Sequence, residues 1–229
     1  MKQLLNTLYI LTPDTYLFLE NEAIGVKIGG EEKVRVPAHT INSVYCFGNV
    51  TVSTPLIGFC GQRGISLVFL SEYGKFYGRI QGPVQGNILL RRRQFAALDD
   101  LVFSKRLVRS ILLGKLVNSR EFLMRVRRER KEKEEIFTNS IQKIARIAKE
   151  LQESSGIDSM RGLEGAAAAA YYAAFSAMLV SEEMGFECRN RRPPEDPVNA
   201  LLSFLYTLLK NDVQFAEEGV GLDPAAGFL

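Results

Sequence analysis

Arg79-Ile80-Gln81-Gly82-Pro83-Val84-Gln85-Gly86-Asn87-Ile88-Leu89-Leu90-Arg91-Arg92-Arg93-Gln94 is where the chain changes its period. Before it, apolar residues alternate or run in short blocks; after it, they recur every three or four positions. Gly82-Pro83 carries a linker signal between the two regimes. The stretch separates a mainly β domain, residues 1–83, from an all-α domain, residues 84–229. The expected fold class is α+β.

Back from the linker, Phe76 to Gln81 reads as a strand reached by a hairpin through Tyr73-Gly74. Ile65 to Leu70 is a continuous apolar run, as in a strand buried on both faces. Ile41 to Phe47 is rich in β-branched and aromatic residues. Val34-Arg35-Val36 alternates, as do Ile24, Val26 and Ile28, while Leu4 to Leu11 and Tyr16 to Glu20 flank the turn Thr12-Pro13-Asp14. One helix interrupts the strands, with Thr54 as its cap, Pro55 at its first position and Gly61 or Gly64 at its end.

Forward from the linker, Leu89, Leu90, Phe95 and Leu98 mark a short helix. Leu101, Val108, Leu112, Leu116, Leu123 and Val126 trace a long one, with its arginines mostly off the stripe. Ile136, Ile141, Ile144, Ala148 and Leu151 give another, closed by Ser154-Ser155-Gly156. Asp158 or Ser159 then caps a helix in which Glu164 shares a face with Ala168, Tyr171, Phe175 and Met178. The prolines of Arg189-Asn190-Arg191-Arg192-Pro193-Pro194-Glu195-Asp196-Pro197 impose an extended chain. Asp196 and Pro197 start a last helix along Val198, Leu201, Leu202, Leu205, Leu208 and Leu209.

Composition excludes several classes. With 229 residues, 46% of them hydrophobic, and charges nearly balanced at 29 Lys+Arg against 26 Asp+Glu, the chain reads as globular. No apolar run is long enough to span a membrane and no export signal is visible, so the expected address is cytoplasmic. Cys46, Cys60 and Cys188 lack metal or redox spacing and read as free thiols. There is one histidine, His39, no G-x-S-x-G elbow, and no phosphate-binding glycine loop. Between Arg91 and Arg130, however, twelve basic and four acidic residues give a local net charge of +8, while Lys131 to Leu229 is net −6. Such a belt suits phosphates or is simply a solvated face.

The carboxylate that stands out is Glu164, set between Gly162 and Gly165 ahead of an alanine run. On an apolar face it needs a partner or a cation. It is either a structural acid serving the helix dipole and a neighbour such as Arg161, or one ligand of an oxygen-coordinated ion.

Three ordered motifs bear on that choice. Arg161-Gly162-Leu163-Glu164-Gly165-Ala166-Ala167 with Tyr171, the segment Asn190 to Ser203, and Gly221-Leu222-Asp223-Pro224 with Gly227-Phe228 resemble the CRISPR-associated endonuclease and integrase that inserts new spacers. Asn87 to Arg91 with Gln94, and Gly114-Lys115 with Asn118, are similar to further patterns of that family. Leu4-Leu5-Asn6-Thr7-Leu8-Tyr9 and Val36-Pro37-Ala38-His39 resemble its subtype I-C branch. The resemblance covers essentially the whole chain. It implies a homodimerising N-terminal domain, and a helical domain in which a glutamate, a histidine and a later acid hold Mg2+ or Mn2+. Glu164 matches the glutamate, as catalytic and metal-binding residue. The other two ligands would fall beyond Leu229, which marks the chain as truncated and its catalytic domain as incomplete. His39 does not match the family histidine.

The implied function is joining of DNA 3′-hydroxyl ends to a CRISPR repeat, with a second, small adaptation protein as partner. Arg91, Arg92, Arg93, Arg106, Arg109, Lys115 and Arg191 are the candidate phosphate contacts, which position DNA without reading its sequence. Tyr171 is expected to pack in the core. The competing expectation is a DNA-binding dimeric scaffold without catalysis. A helical small-molecule enzyme or a regulator is a third reading, which the basic belt disfavours.

Overall fold

The computed structural model describes residues 6–83, 87–180, 184–191 and 193–229. Leu4 and Leu5 of the first expected strand, Val84 to Gly86 of the linker and Arg192 lie outside the described residues. The chain forms two compact units. One takes the residues up to Asn87 together with Phe204–Leu222, the other Ile88–Ser203 and Asp223–Leu229. A single boundary between residues 83 and 84 therefore does not describe the division, because the second half of the last helix belongs with the strands.

In the first unit the strands are β1 (Thr7–Ile10), β2 (Thr15–Glu20), β3 (Ala23–Ile28), β4 (Glu31–Pro37), β5 (Ser43–Phe47), β6 (Val50–Val52), β7 (Ser66–Leu70) and β8 (Phe76–Ile80), with helix α1 (Thr54–Arg63) before β7. They form two four-stranded sheets, ordered β1-β5-β7-β8 and β4-β3-β2-β6. In the first sheet β1, β5 and β7 are parallel and β8 is antiparallel. In the second, β2 and β3 form a hairpin whose turn residues Asn21 and Glu22 both have positive φ, the twist that two-residue hairpins favour. β6 is three residues long, too short to show alternation, and the periodicity did not reveal it. Ser53, not Thr54, caps α1 by accepting from the Leu56 N–H, and left-handed Gly64 ends it.

A core of Leu17, Ile24, Val44, Cys46, Leu56, Cys60 and Leu67 joins the sheets and α1. The opposite face of β5 and β7, carrying Tyr45, Phe47, Val68 and Leu70, packs against Phe204 and Leu208 of helix α7 (Pro197–Val220). Tyr45 Oη donates to Asp212 Oδ1 at 2.6 Å. Burial and this hydrogen bond push the Tyr45 phenol well above its ordinary value. Arg79 of β8 ion-pairs with Glu218 of the same helix, both side chains largely buried.

The second unit contains α2 (Ile88–Asp99), α3 (Leu101–Glu129), α4 (Glu134–Glu153), α5 (Ile157–Ala173), α6 (Phe175–Met178) and the first turns of α7. The α3 stripe is buried as its spacing predicts, except for exposed Leu101, and meets Phe137, Ile141, Ile144, Ile147 and Leu151 of α4. Met160, Ala167 and Ala170 are the α5 contribution. Gly156, not Asp158 or Ser159, precedes α5, and Asp158 instead pairs with Arg161 at 2.7 Å. No helix among the described residues is long and apolar enough to cross a membrane.

Two outcomes follow from these packings. A Cβ on Gly82 would lie 2.0 Å from the Gly61 carbonyl oxygen, whereas one on Gly58 would meet nothing within 4 Å. Gly82→Ala is expected to lose about 1–3 kcal/mol in urea unfolding by overpacking, and Gly58→Ala to lose none. Burial pushes Cys46 up to about 12, with Cys60 adding to the effect, and burial pushes Cys60 up to about 11. Raised thiol values stabilise the fold fully below the ordinary value near 9, and that contribution is lost as pH rises toward 11–12. Unfolding scans should show stability falling across that window, and at neutral pH a thiol reagent should label exposed Cys188 before Cys46 and Cys60.

Candidate metal and nucleic-acid site

Glu164 lies seven residues into α5, beyond the reach of the helix N-terminal dipole. The helix dipole therefore does not account for this acid. Arg161 is not its partner either, being paired with Asp158. Lys115, reaching across from α3, makes the ion pair with the Glu164 carboxylate. The glutamate side chain is 26% exposed and the lysine 54%, so the acid is the more enclosed of the two. Tyr171 packs against the helical core, as expected, and its ring meets Tyr172 and Phe175. The helix ends at Ala173, so the expected face does not continue unbroken to Phe175 and Met178.

The other candidate residues separate by what they touch. Arg109 donates from Nη2 to the Ser154 carbonyl at 2.6 Å, fixing the turn between α4 and α5. Arg127 reaches Thr138 and Arg130 the Leu179 carbonyl. Arg109 and Arg127 flank the buried α3 stripe on one side, and Lys115 flanks it on the other. Arg92 and Arg93 are exposed on α2, Arg91 is half-buried, Arg191 is exposed, and Arg106 is exposed with its guanidinium 5.6 Å from the Phe103 ring.

Arg189 is bound within the fold: its guanidinium reaches Asn199 Oδ1 at 2.7 Å, Ser203 Oγ at 3.2 Å and the Asn190 carbonyl. Asn199, with no exposed surface, organises this segment. Its Oδ1 also accepts the Asn190 N–H at 3.1 Å, while its Nδ2 donates to the Cys188 carbonyl at 2.8 Å and to Asp196 Oδ2 at 2.5 Å. Asp196 Oδ1 accepts the Asn199 N–H at 2.7 Å, which realises the expected helix start. These bonds hold the Asp196 carboxyl below its ordinary range.

A second unforeseen residue is Gln94. Its amide pairs with loop backbone, accepting the Asp223 N–H at 2.8 Å and donating to the carbonyls of Asp223 at 2.9 Å and Ala226 at 3.2 Å. Phe228 then sits edge-on to Phe103. The stretch from Asp223 to Phe228 is thereby tied to α2 and α3. The sequence signal for both residues was membership of the quoted motifs, not any property of an isolated asparagine or glutamine.

Divalent ions such as Mg2+ and Mn2+ take carboxylate oxygens and complete their shell with water and substrate phosphate. Glu164, enclosed yet already neutralised by an ammonium group, fits one such oxygen donor. Acids of the last helix and the loop after it have separate partners: Asp212 accepts from Tyr45, Glu218 pairs with Arg79, and Asp223 accepts the Ala225 N–H. Among the described residues no group of three or more His, Cys, Asp or Glu could hold a metal ion.

The sequence matches the family described as CRISPR associated protein Cas1 over residues 8–229. The chain belongs to the Cas1 family. It is 43% identical to a CRISPR-associated endonuclease Cas1 of Chlorobaculum tepidum and 40% identical to one of Moorella thermoacetica, in each case over all of this chain and 68% of the relative. Its fold resembles that of a Cas1 protein from Thermotoga maritima, with a TM-score of 0.80 and 23% identity over 98% of this chain and 69% of the other. A casposase bound to integration product gives 0.77 at 17% identity, covering 98% and 64% respectively. A Cas6-RT-Cas1–Cas2 complex gives 0.75 at 22%, covering 95% of this chain and 24% of the other.

The Asn199 node makes a direct test of how this Cas1 family chain holds its arginine-proline segment. Asn199→Ala strands the Arg189 guanidinium and the Asn190 N–H, and is expected to cost about 3 kcal/mol or more in denaturant unfolding. Ala200→Ser, on the exposed side of the same turn, should stay within ~0.5 kcal/mol.

Proposed function

We propose that this protein is a divalent-metal-dependent DNA endonuclease and integrase of CRISPR spacer acquisition. The observation that carries the reading is Glu164: an enclosed carboxylate, compensated by a cation, in a chain whose curated relatives are named Cas1 endonucleases. Glu164 would be the protein's oxygen ligand from this region. When bound, Mg2+ or Mn2+ supplies Lewis-acid polarisation of a phosphate oxygen.

The remaining work falls to side chains. Arg92, Arg93, Arg106 and Arg191 are exposed and fit backbone phosphate contacts. Arg109 serves the fold, and the Asn199 network braces the segment that carries Arg191. In the reaction a DNA 3′-hydroxyl oxygen attacks a repeat phosphodiester. The new phosphodiester forms as the old one breaks, and the displaced strand leaves with its own 3′-hydroxyl. With water as nucleophile the same site hydrolyses DNA. The strand-rich unit, whose Tyr73 and Tyr77 are 88% and 65% exposed, fits a homodimer contact. The Cas2 named in one structural neighbour is the partner this reading implies, and the cytoplasm is its expected setting.

The test is manganese-dependent strand transfer on branched DNA by the full-length protein. Glu164→Ala should abolish it, and full activity in that variant would refute the metal assignment. In DNA binding, Arg92→Ala and Arg93→Ala should each flatten the slope of log affinity against log salt by about 0.9 without shifting the melting temperature. Arg109→Ala should lower the melting temperature instead, by loss of the Ser154 bond.

A further inference from the structure

Among the described basic side chains of α3, Lys115 pairs with an acid on another helix, whereas Arg120 pairs with its sequence neighbour Glu121 at 3.7 Å. Arg109, and Arg130 just past the end of α3, donate to backbone carbonyls, and Arg127 to a hydroxyl, all neutral acceptors. Lys115 is held by a carboxylate, and its side chain is 54% exposed at the end of a flexible stem. Glu164 is the enclosed partner, and an enclosed carboxylate cannot be left without a compensating charge at low cost. Either partner of such a pair can be exchanged, the acid for another cation and the ammonium for another anion. The exposed lysine can turn away without opening the packed core, whereas Glu164 is carried by a helix whose Ala167 and Ala170 are buried.

We infer that Lys115 is a phosphate contact held in reserve by Glu164 and released when a divalent cation takes over neutralisation of that carboxylate. The inference rests on the metal and DNA reading above and adds a coupling to it. Without cation, Lys115 is withheld from DNA and the carboxylate is masked, so a DNA backbone meets a neutral pair. With cation bound, the ammonium becomes available to a phosphate. The coupling is reciprocal: cation strengthens DNA binding, and DNA, by drawing Lys115 away, strengthens cation binding. It also assigns Lys115 two successive partners where a static phosphate contact would have one.

The experiment is a double-mutant cycle on the full-length protein, read as fluorescence anisotropy of a short labelled forked DNA in EDTA, between ~50 and ~200 mM salt. Melting curves confirm that wild type, Lys115→Gln, Glu164→Gln and the double variant are folded. Glu164→Gln should bind several-fold more tightly than wild type at low salt, with a slope steeper by about 0.9, the value of one phosphate contact. That gain should vanish in the Lys115→Gln background. Millimolar Mn2+ should give wild type the same gain and leave Lys115→Gln unchanged. An equal gain from Glu164→Gln in both backgrounds would mean simple removal of a negative charge and overturns the inference. No gain from Glu164→Gln, or from Mn2+ in wild type, overturns it as well while leaving DNA binding intact. Failure of wild type to bind the forked DNA at low salt would instead overturn the DNA reading on which it stands.

Discussion

A parallel sheet must be covered on both faces, because its strands carry apolar side chains on each. β5 is buried at every position and β7 at all but one, so neither shows the alternation of a half-exposed strand. One face is met locally by α1 and the second sheet. The other is met by α7, more than 160 positions further along the chain at Tyr45 and Asp212. Phe204, Leu208 and the Arg79–Glu218 pair complete that cover. The N-terminal unit cannot then be complete in its N-terminal sequence, and the change of period near Gly82-Pro83 marks a change of secondary structure without marking the full boundary of a folding unit.

In the helical unit, α3 has the corresponding role. Its buried stripe meets α4 and α5, and the residues beside the stripe decide what each side of the helix does. On one side Arg109 and Arg127 fasten the neighbouring chain through neutral acceptors. On the other, Lys115 meets the one enclosed acid of the α5 glycine-alanine segment. A run of positive charge that looks uniform in sequence is divided by helical geometry into fold-bearing and solvent-facing members. Arg109 is half-buried and bonded to the Ser154 carbonyl, whereas Arg106 is exposed.

Much of the architecture was legible because it depends on local pattern. The α3 stripe, the start of α7 at Asp196-Pro197 and the doubly buried run from Ile65 all follow from periodicity, capping and turn chemistry. The misreadings were also local. Ser53 and Thr54 can each cap, and the choice depends on where the chain enters the helix. Asp158 is a good cap by type but pairs with Arg161. The roles of Asn199 and Gln94 were not legible, because a buried amide is defined by the backbone groups it satisfies, and these come from segments separated in sequence.

The sequence by itself determined the α+β class, most of the succession of strands and helices, and the motifs that place this chain in the Cas1 family. It also singled out Glu164, since a carboxylate between glycines at the edge of an alanine face is conspicuous in one dimension. Only the tertiary structure decided that Lys115 faces that carboxylate, that Arg109 and Arg189 serve the fold, and that α7 is divided between the two units. The physical reason is the range of the forces involved. Backbone preference and hydrophobic period act over a few residues and are written in order along the chain, whereas ion pairs, buried amides and the second face of a sheet are satisfied by whatever the completed fold brings within a few ångströms.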